Sequence, residues 1–317
     1  MIVEISTHGS TLKRDHDSFL ISNQEGKNEI PAEKVDAIII SANALISTQA
    51  IRLAIEKQIH LVVADWSGNP FARVWVSSQG RAADLRRLQY LNQETIIGLR
   101  ISTDIVTRKI KQQRKILLEL KNNRKKKISE LEGAISTLND ILQKLREEHE
   151  EITKDRLLGL EGWCAKKYFR AVSAVLPERW KFEERSQHPA KDEFNAALNY
   201  IYGMGYSSVE KIIVLSGLDP NAGFYHADSY GKPTLSYDIM ELVRPLMDQS
   251  IVSLFTKKIV REDWFEIQEE GNGGVFLAKK GRMSIIKKYI EENKKLVEKE
   301  SWDYCKKIIK IIGGQDV

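Results

Sequence analysis

Near Gly80 the spacing of the apolar residues changes, so this chain cannot be one uniform layer of helices or of strands. Before that point, short runs rich in β-branched residues predict strands at Ile2–Ile5, Ser18–Ser22, Val35–Ser41, His60–Ala64 and Ala72–Val76. Turn chemistry separates them at Asp15-His16-Asp17, Gln24-Glu25-Gly26, Ile30-Pro31 and Asp65 through Pro70. Ala37-Ile38-Ile39-Ile40 is apolar on both faces, as expected of a strand inside a packed sheet. One helix starts at Ser47-Thr48-Gln49-Ala50, with Ile51, Ala54 and Ile55 at helical spacing. From about Asp84 onward the helical period dominates. It predicts helices at Leu157–Leu176, Asp192–Tyr202, Ser208–Ser216, Tyr237–Phe255 and Arg282 to about Ile311, interrupted by one strand-like piece, Gly274–Leu277.

Size agrees with two halves, since 317 residues exceed the roughly 250–300 at which single cores stop growing. Hydrophobic residues at 42% supply real cores and exclude a disordered tail. Forty-nine Lys and Arg against 44 Asp and Glu leave +5, which permits a polyanionic partner without demanding one. Two cysteines, Cys164 and Cys305, exclude a disulfide scaffold and a Cys-based zinc site, and suit a reducing compartment. No apolar run approaches the roughly 18–20 residues that span a bilayer, and the start lacks a basic region before an apolar stretch. The expectation is a soluble, cytoplasmic protein with no membrane partner.

Charge is segregated along the chain. Residues 108–127 hold ten Lys and Arg and one acid, Glu119, whereas residues 128–151 hold seven acids and two bases. A basic and an acidic helix could pair antiparallel around Arg124–Gly133 as a solvated hairpin. Alternatively, Arg124-Lys125-Lys126-Lys127 touches phosphates; the sequence alone leaves both open.

Three places hold residues able to do chemistry. Glu161 lies in an apolar, aromatic stretch with Cys164, Ala165 and Tyr168 on its helical face. A buried carboxylate needs a cation, unless Glu161 sits in a first helical turn or pairs with Lys166 or Lys167. His226 ends a turn-rich loop that follows Gly217, where a satisfied surface histidine is the ordinary alternative. Asp238 and Glu241 are three apart and share a helical face. Ser236 could cap that helix, and Arg244 could pair with Glu241. Together, two or three carboxylates and one imidazole make an oxygen-rich set suited to Mg²⁺ or Mn²⁺.

At these residues the chain resembles the CRISPR-associated spacer-acquisition integrase, the universal adaptation nuclease of CRISPR loci. The similar pieces include Ile38-Ile39-Ile40-Ser41, Ile59 through Gly68, Arg86-Arg87-Leu88-Gln89, Leu160-Glu161-Gly162 and Arg185 through Pro189. They continue with Asp192 through Tyr200, Gly217-Leu218-Asp219-Pro220, Gly223-Phe224-Tyr225-His226, Ser236 through Glu241, and Gly281-Arg282. The ordered set Glu, Asp…Asn-Ala, Asp-Pro…Gly-Phe…His, Asp…Glu…Arg is highly specific.

The resemblance implies an α+β protein: an N-terminal β-sandwich-like domain (1–80) that dimerises, a linker (81–90), and an all-α-helical catalytic domain (91–317). It implies Mg²⁺ or Mn²⁺ held by Glu161, His226 and Glu241, with Asp238 shaping the site and assisting a second ion or a proton. Glu241 departs from the Asp often found there. DNA contacts are expected from Arg185, Lys191, Arg244 and Arg282. The implied reaction joins 3′-OH ends of short foreign DNA fragments to the repeat array by transesterification. Implied partners are double-stranded DNA fragments, CRISPR repeat DNA, a second copy of the chain, and a second small adaptation subunit bridging two dimers. Rival readings are a mobile-element integrase or structure-specific nuclease with the same metal site, and a non-catalytic DNA-binding scaffold. The scaffold leaves the clustered acids unexplained, because carboxylates near DNA repel phosphate unless a cation intervenes.

Overall fold

The computed structural model describes residues 1–24, 26–35, 37–57, 59–64, 70–74, 81–124, 127–147, 152–187, 189–226, 232–268 and 273–314. The turn expected at 65–69, the end of the strand expected at 72–76, Lys125-Lys126 and His188 lie outside these residues. The chain forms two compact units, one of residues 1–87 with 210–219, the other of 88–209 with 220–317.

The first unit is built from β1 (Ile2–Ile5), β2 (Ser10–Asp15), β3 (Ser18–Asn23), β4 (Gly26–Pro31), β5 (Ala37–Ile40), β6 (Ala44–Ile46), α1 (Thr48–Glu56), β7 (His60–Ala64) and β8 (Pro70–Arg73). One sheet has the order β1-β5-β7-β8, parallel except for β8; the other has the order β4-β3-β2-β6. Val3, Ile5, Ile38, Ile40 and Leu61 of the first sheet share a core with Leu12 and Phe19 of the second and Leu53 of α1. Two sheets around one apolar layer make this unit sandwich-like. Ile38, Ile39 and Ile40 are all buried, as their sequence requires. Strand β2 was not expected, because only Leu12 is a large apolar residue among Ser10, Thr11, Lys13, Arg14 and Asp15, too few to show an alternation. Its hairpin to β3 closes through two residues, with His16 at φ +50°, the left-handed backbone that such tight turns demand.

Helix α2 (Arg81–Asn92) follows these strands in sequence. The second unit then holds α3 (Ile96–Asn122), α4 (Ser129–Glu147), α5 (Lys154–Val175) and most of α6 (Glu193–Ser216). It continues with α7 (Thr234–Thr256), β9 (Phe265–Gln268), β10 (Gly274–Leu277), α8 (Lys279–Lys288) and α9 (Lys294–Ile312). The basic α3 and acidic α4 do form a hairpin, tied near its turn by Lys121 and Glu132 at 3.3 Å. It is not merely a solvated pair: α4 buries Leu131, Ala134, Leu138, Ile141 and Leu145 at helical spacing.

Three local expectations differ from the structure. The two helices expected at 192–202 and 208–216 are one, because α6 runs unbroken through Gly203 and Gly205 until Gly217 ends it at φ +91°. The second unit is not all-helical, since β9 and β10 pair as a small antiparallel sheet. Helix α7 begins before Ser236, which lies buried inside its first turn rather than capping it. Pro245 sits within α7 and has no N–H, so the Glu241 carbonyl four residues back loses its helical partner. Among the described residues no helix is long and apolar enough to cross a membrane.

Candidate active site

Three elements of the second unit carry the site: α5 brings Glu161, α7 brings Asp238 and Glu241, and the segment after Gly217 brings His226. Glu161 lies past the second turn of α5, which starts at Lys154, so its environment is not that of a helix N-terminus. Nor does it pair with Lys166 or Lys167. Its partner is Lys109 of α3, whose ammonium donates to both Glu161 Oε1 and Glu241 Oε2. Glu241 uses its other oxygen, Oε1, to accept from Arg244 Nη1, while Arg244 Nη2 donates to the Tyr206 hydroxyl at 2.7 Å. Burial pushes the Glu241 carboxyl up, but Arg244 and Lys109 outweigh it and hold that group at about 2. Burial would likewise discharge Lys109; the two carboxylates overcome it and raise its pKa. Glu241 and Lys109 therefore keep each other charged, a buried ion pair held by mutual attraction.

Asp238 has a different task from its neighbour one turn on. Its side chain is fully buried and accepts from four N–H groups. Oδ2 takes the backbone N–H of Phe224 (2.6 Å) and Tyr225 (2.9 Å). Oδ1 takes the backbone N–H of His226 (2.9 Å) and faces its ring Nδ1 (2.8 Å). A carboxylate oxygen only accepts, so Nδ1 carries the proton and the Nε2 lone pair is left outward. The ring is 32% exposed, so Nε2 is reachable. Gly223 is required beside this contact, because a Cβ there would meet Thr234 at 2.9 Å and Asp238 Oδ2 at 3.0 Å. From the other side, Gln89 of α2 and Gln93, just past its end, donate to the carbonyls of Ala222 (2.7 Å) and Gly223 (2.8 Å).

The donor set fits a hard divalent ion in chemistry: two carboxylates already converge on one cation, and an imidazole presents an open Nε2 nearby. Among the described residues, no three His, Cys, Asp or Glu side chains sit close enough together to hold an ion as they stand. Lys109 takes the place between the carboxylates. Lys109 escaped the sequence reading because it hides among ten bases; its signal is that it shares the buried helical face of α3 with Ile105, Val106, Gln113 and Ile116.

The four candidate DNA-contacting bases sit in different settings. Arg185 is caged, donating to Asn195 Oδ1 at 2.8 Å and stacking over Tyr202 at 5.4 Å. Arg244 is half-buried against Glu241 and Tyr206. Lys191 is exposed and pairs with Glu184 at 3.1 Å. Arg282 is exposed, with one nitrogen on the Leu277 carbonyl at 2.8 Å.

Comparison with known proteins gives a coherent picture. A fusion protein from Leptospira interrogans, a CRISPR-associated exonuclease Cas4/endonuclease Cas1 fusion, is 28% identical over 89% of this chain, and the chain spans only 53% of its length. A CRISPR-associated endonuclease Cas1 from Thermodesulfovibrio yellowstonii is 31% identical over 73% of each sequence. Among solved structures, the fold is similar to a chain of a partial Cas6-RT-Cas1–Cas2 complex, with TM-score 0.81, 21% identity, and coverage of 100% of this chain and 96% of that one. It is also similar to a casposase bound to integration product, with TM-score 0.72, 19% identity, and coverage of 98% and 95%. The profile of the family described as CRISPR associated protein Cas1 matches residues 3–291, and the chain belongs to that family.

Proposed function

We propose that the protein is a metal-dependent DNA integrase and endonuclease of CRISPR adaptation, joining the 3′-OH ends of short DNA fragments to repeat DNA. The observation that carries this reading is the convergence of Glu161 and Glu241 on one cation while Asp238 turns the Nε2 of His226 outward. Glu161, Glu241 and His226 Nε2 would hold Mg²⁺ or Mn²⁺, which supplies Lewis-acid polarisation of a phosphodiester and neutralises charge developing on it. The chain's own groups prepare that place. Arg244 and Tyr206 fix the Glu241 carboxylate, and Asp238 fixes the tautomer and orientation of the imidazole. Asp238 has no open lone pair facing the carboxylates, so it acts as a positioning residue rather than as ligand to a second ion.

In the reaction the fragment's 3′ oxygen bonds to phosphorus at the repeat edge, and the bond from that phosphorus to the repeat strand's 3′ oxygen breaks. One phosphodiester replaces another, so the step is close to thermoneutral and runs backwards on branched DNA. No protein nucleophile is needed. The relatives that support a wider assembly carry it in their names alone; we extend to this chain a homodimer through the strand-rich unit, bridged by a small adaptation subunit. Light scattering that finds only monomer at micromolar concentration would remove the dimer.

The test is joining of a short 3′-OH fragment to supercoiled plasmid in Mn²⁺, against EDTA. Glu161→Ala, His226→Ala and Glu241→Ala are each expected to abolish joining. EDTA-resistant joining, or full activity in any of the three, refutes the metal site. Nicking without joining leaves a nuclease and refutes the integrase.

A further inference from the structure

Lys109 stands where the proposed ion would bind, and its charge cannot stay there unchanged. In the present arrangement Lys109 and Arg244 balance Glu161 and Glu241. A divalent ion between the same oxygens would add two charges in a place from which water is largely excluded, with Lys109 6% and Glu241 4% exposed. An ammonium and a divalent ion sharing the same carboxylate oxygens repel strongly, the more so where water does not screen them. The ammonium has to leave for the ion to enter.

A second seat exists. Lys109, Gln113, Glu161, Arg244, Tyr202 and Asp248 line one cavity of about 780 Å³. Gln113 Oε1 there has no hydrogen-bond partner among the described residues, and Asp248 is a buried carboxylate met by the Tyr202 and Tyr168 hydroxyls with no ammonium or guanidinium of those residues hydrogen-bonded to it. Gln113 is one turn beyond Lys109 on the same buried face of α3, the direction in which a lysine stem can swing without moving the helix. Asp248 is 2% exposed, and its Oδ1 accepts from the Tyr202 hydroxyl. An orphaned acceptor inside a protein is uncommon and costly, and a buried carboxylate is costlier still without a cation. An arriving ammonium would give Gln113 Oε1 a donor and Asp248 a counter-charge.

We propose that Lys109 is a resident counter-ion with two seats, one between Glu161 and Glu241 when no divalent ion is bound, the other against Gln113 and Asp248 once those carboxylates take up the ion. Lys109 is thus a positioning residue: it keeps the ligand carboxylates gathered in the metal-free protein and sets how tightly they load. The inference rests on the metal site proposed above.

Mn²⁺ affinity of the DNA-free protein, measured by calorimetry, tests it without any turnover. Lys109→Met is expected to bind Mn²⁺ about tenfold tighter or more, because the competitor is gone and two buried carboxylates are left short of a cation. Asp248→Asn is expected to bind about tenfold more weakly, because the displaced ammonium loses its second seat. In the Lys109→Met background Asp248→Asn is expected to change nothing, and that non-additivity marks the lysine as the link. Equal Mn²⁺ affinity in wild type and Lys109→Met, or an Asp248→Asn effect that persists without the lysine, overturns the two-seat inference while the metal site stands. Absence of Mn²⁺ binding in both wild type and Lys109→Met overturns the metal site and this inference with it. If Lys109→Met does not fold, the Asp248→Asn arm decides: unchanged affinity refutes the second seat, weaker affinity that Gln113→Leu reproduces supports it.

Discussion

Replacing Asp238 by Asn removes one charge and one acceptor, and the geometry fixes what that does. Four N–H groups now converge on two carboxylate oxygens, two on each. An amide has a single acceptor oxygen. If that oxygen occupies the Oδ1 position, the amide nitrogen faces the backbone N–H of Phe224 and Tyr225, and two buried donors lose their acceptor. If it occupies the Oδ2 position, only the His226 N–H is orphaned, but the imidazole must shift its proton to Nε2 so that Nδ1 can accept. The second orientation is cheaper. One orphaned donor costs about 1–3 kcal/mol, and weakening the remaining bonds from charge-assisted to neutral adds to it. The sum is about 2–5 kcal/mol. At about 2–4 °C per kcal/mol for a unit of this size, the melting temperature should fall by roughly 4–20 °C. The proton on Nε2 also removes a lone pair, so Mn²⁺ affinity should drop about 10–100-fold. Differential scanning calorimetry in EDTA and Mn²⁺ titration read the two effects separately. An Asp238→Asn protein with wild-type melting temperature and wild-type Mn²⁺ affinity would refute the reasoning.

Asp248 gives a pH prediction. Burial raises its carboxyl to about 6, despite the Tyr202 hydrogen bond, from an ordinary 3.8. Between those values the native chain holds a proton that the unfolded chain has lost, so this group's contribution to stability falls as pH rises through about 4 to 6. Asp248→Asn should therefore match wild type at pH 4 and exceed it at pH 8 by up to about 3 kcal/mol in EDTA, measured by denaturant unfolding; a variant equally stable or weaker at pH 8 contradicts the sign. For DNA binding, Lys191→Ala and Arg282→Ala should each lower the log-affinity against log-salt slope by about 0.9 per lost phosphate contact. Arg185→Ala and Arg244→Ala should instead lower the melting temperature and leave that slope alone; if none of the four moves it, the grip lies on the bases of α3.

The sequence period was enough to place a strand-rich half before a helical one, and Asp238 and Glu241 on one turn of α7, because burial imposes those spacings directly; the sandwich came only from the family resemblance. It could not show that these two carboxylates diverge. Asp238 reaches back to the segment ending at His226, while Glu241 reaches across to α3, and neither direction is written in a three-residue spacing. Lys109 was invisible for a related reason: a lysine in a basic run reads as solvated until its helix is packed, and only then does its place among Ile105, Val106 and Ile116 become a statement about charge. The break expected in α6 spans Gly203 and Gly205, whose weak helical propensity is overridden by tertiary packing, with Met247 and Met240 lying where a Cβ on Gly205 would go.

The imidazole's address is set from two flanks: Asp238 grips the amide edge of residues 224–226, and Gln89 with Gln93 grips the carbonyl edge of residues 222–223. Position is thereby inherited from α7, from Gln89 of α2 and from Gln93 just past its end. A change as distant in sequence as Gly98 therefore reaches the histidine, because a Cβ there would come within 2.4 Å of the carbonyls of Asn92 and Gln93 and push the anchoring glutamine aside.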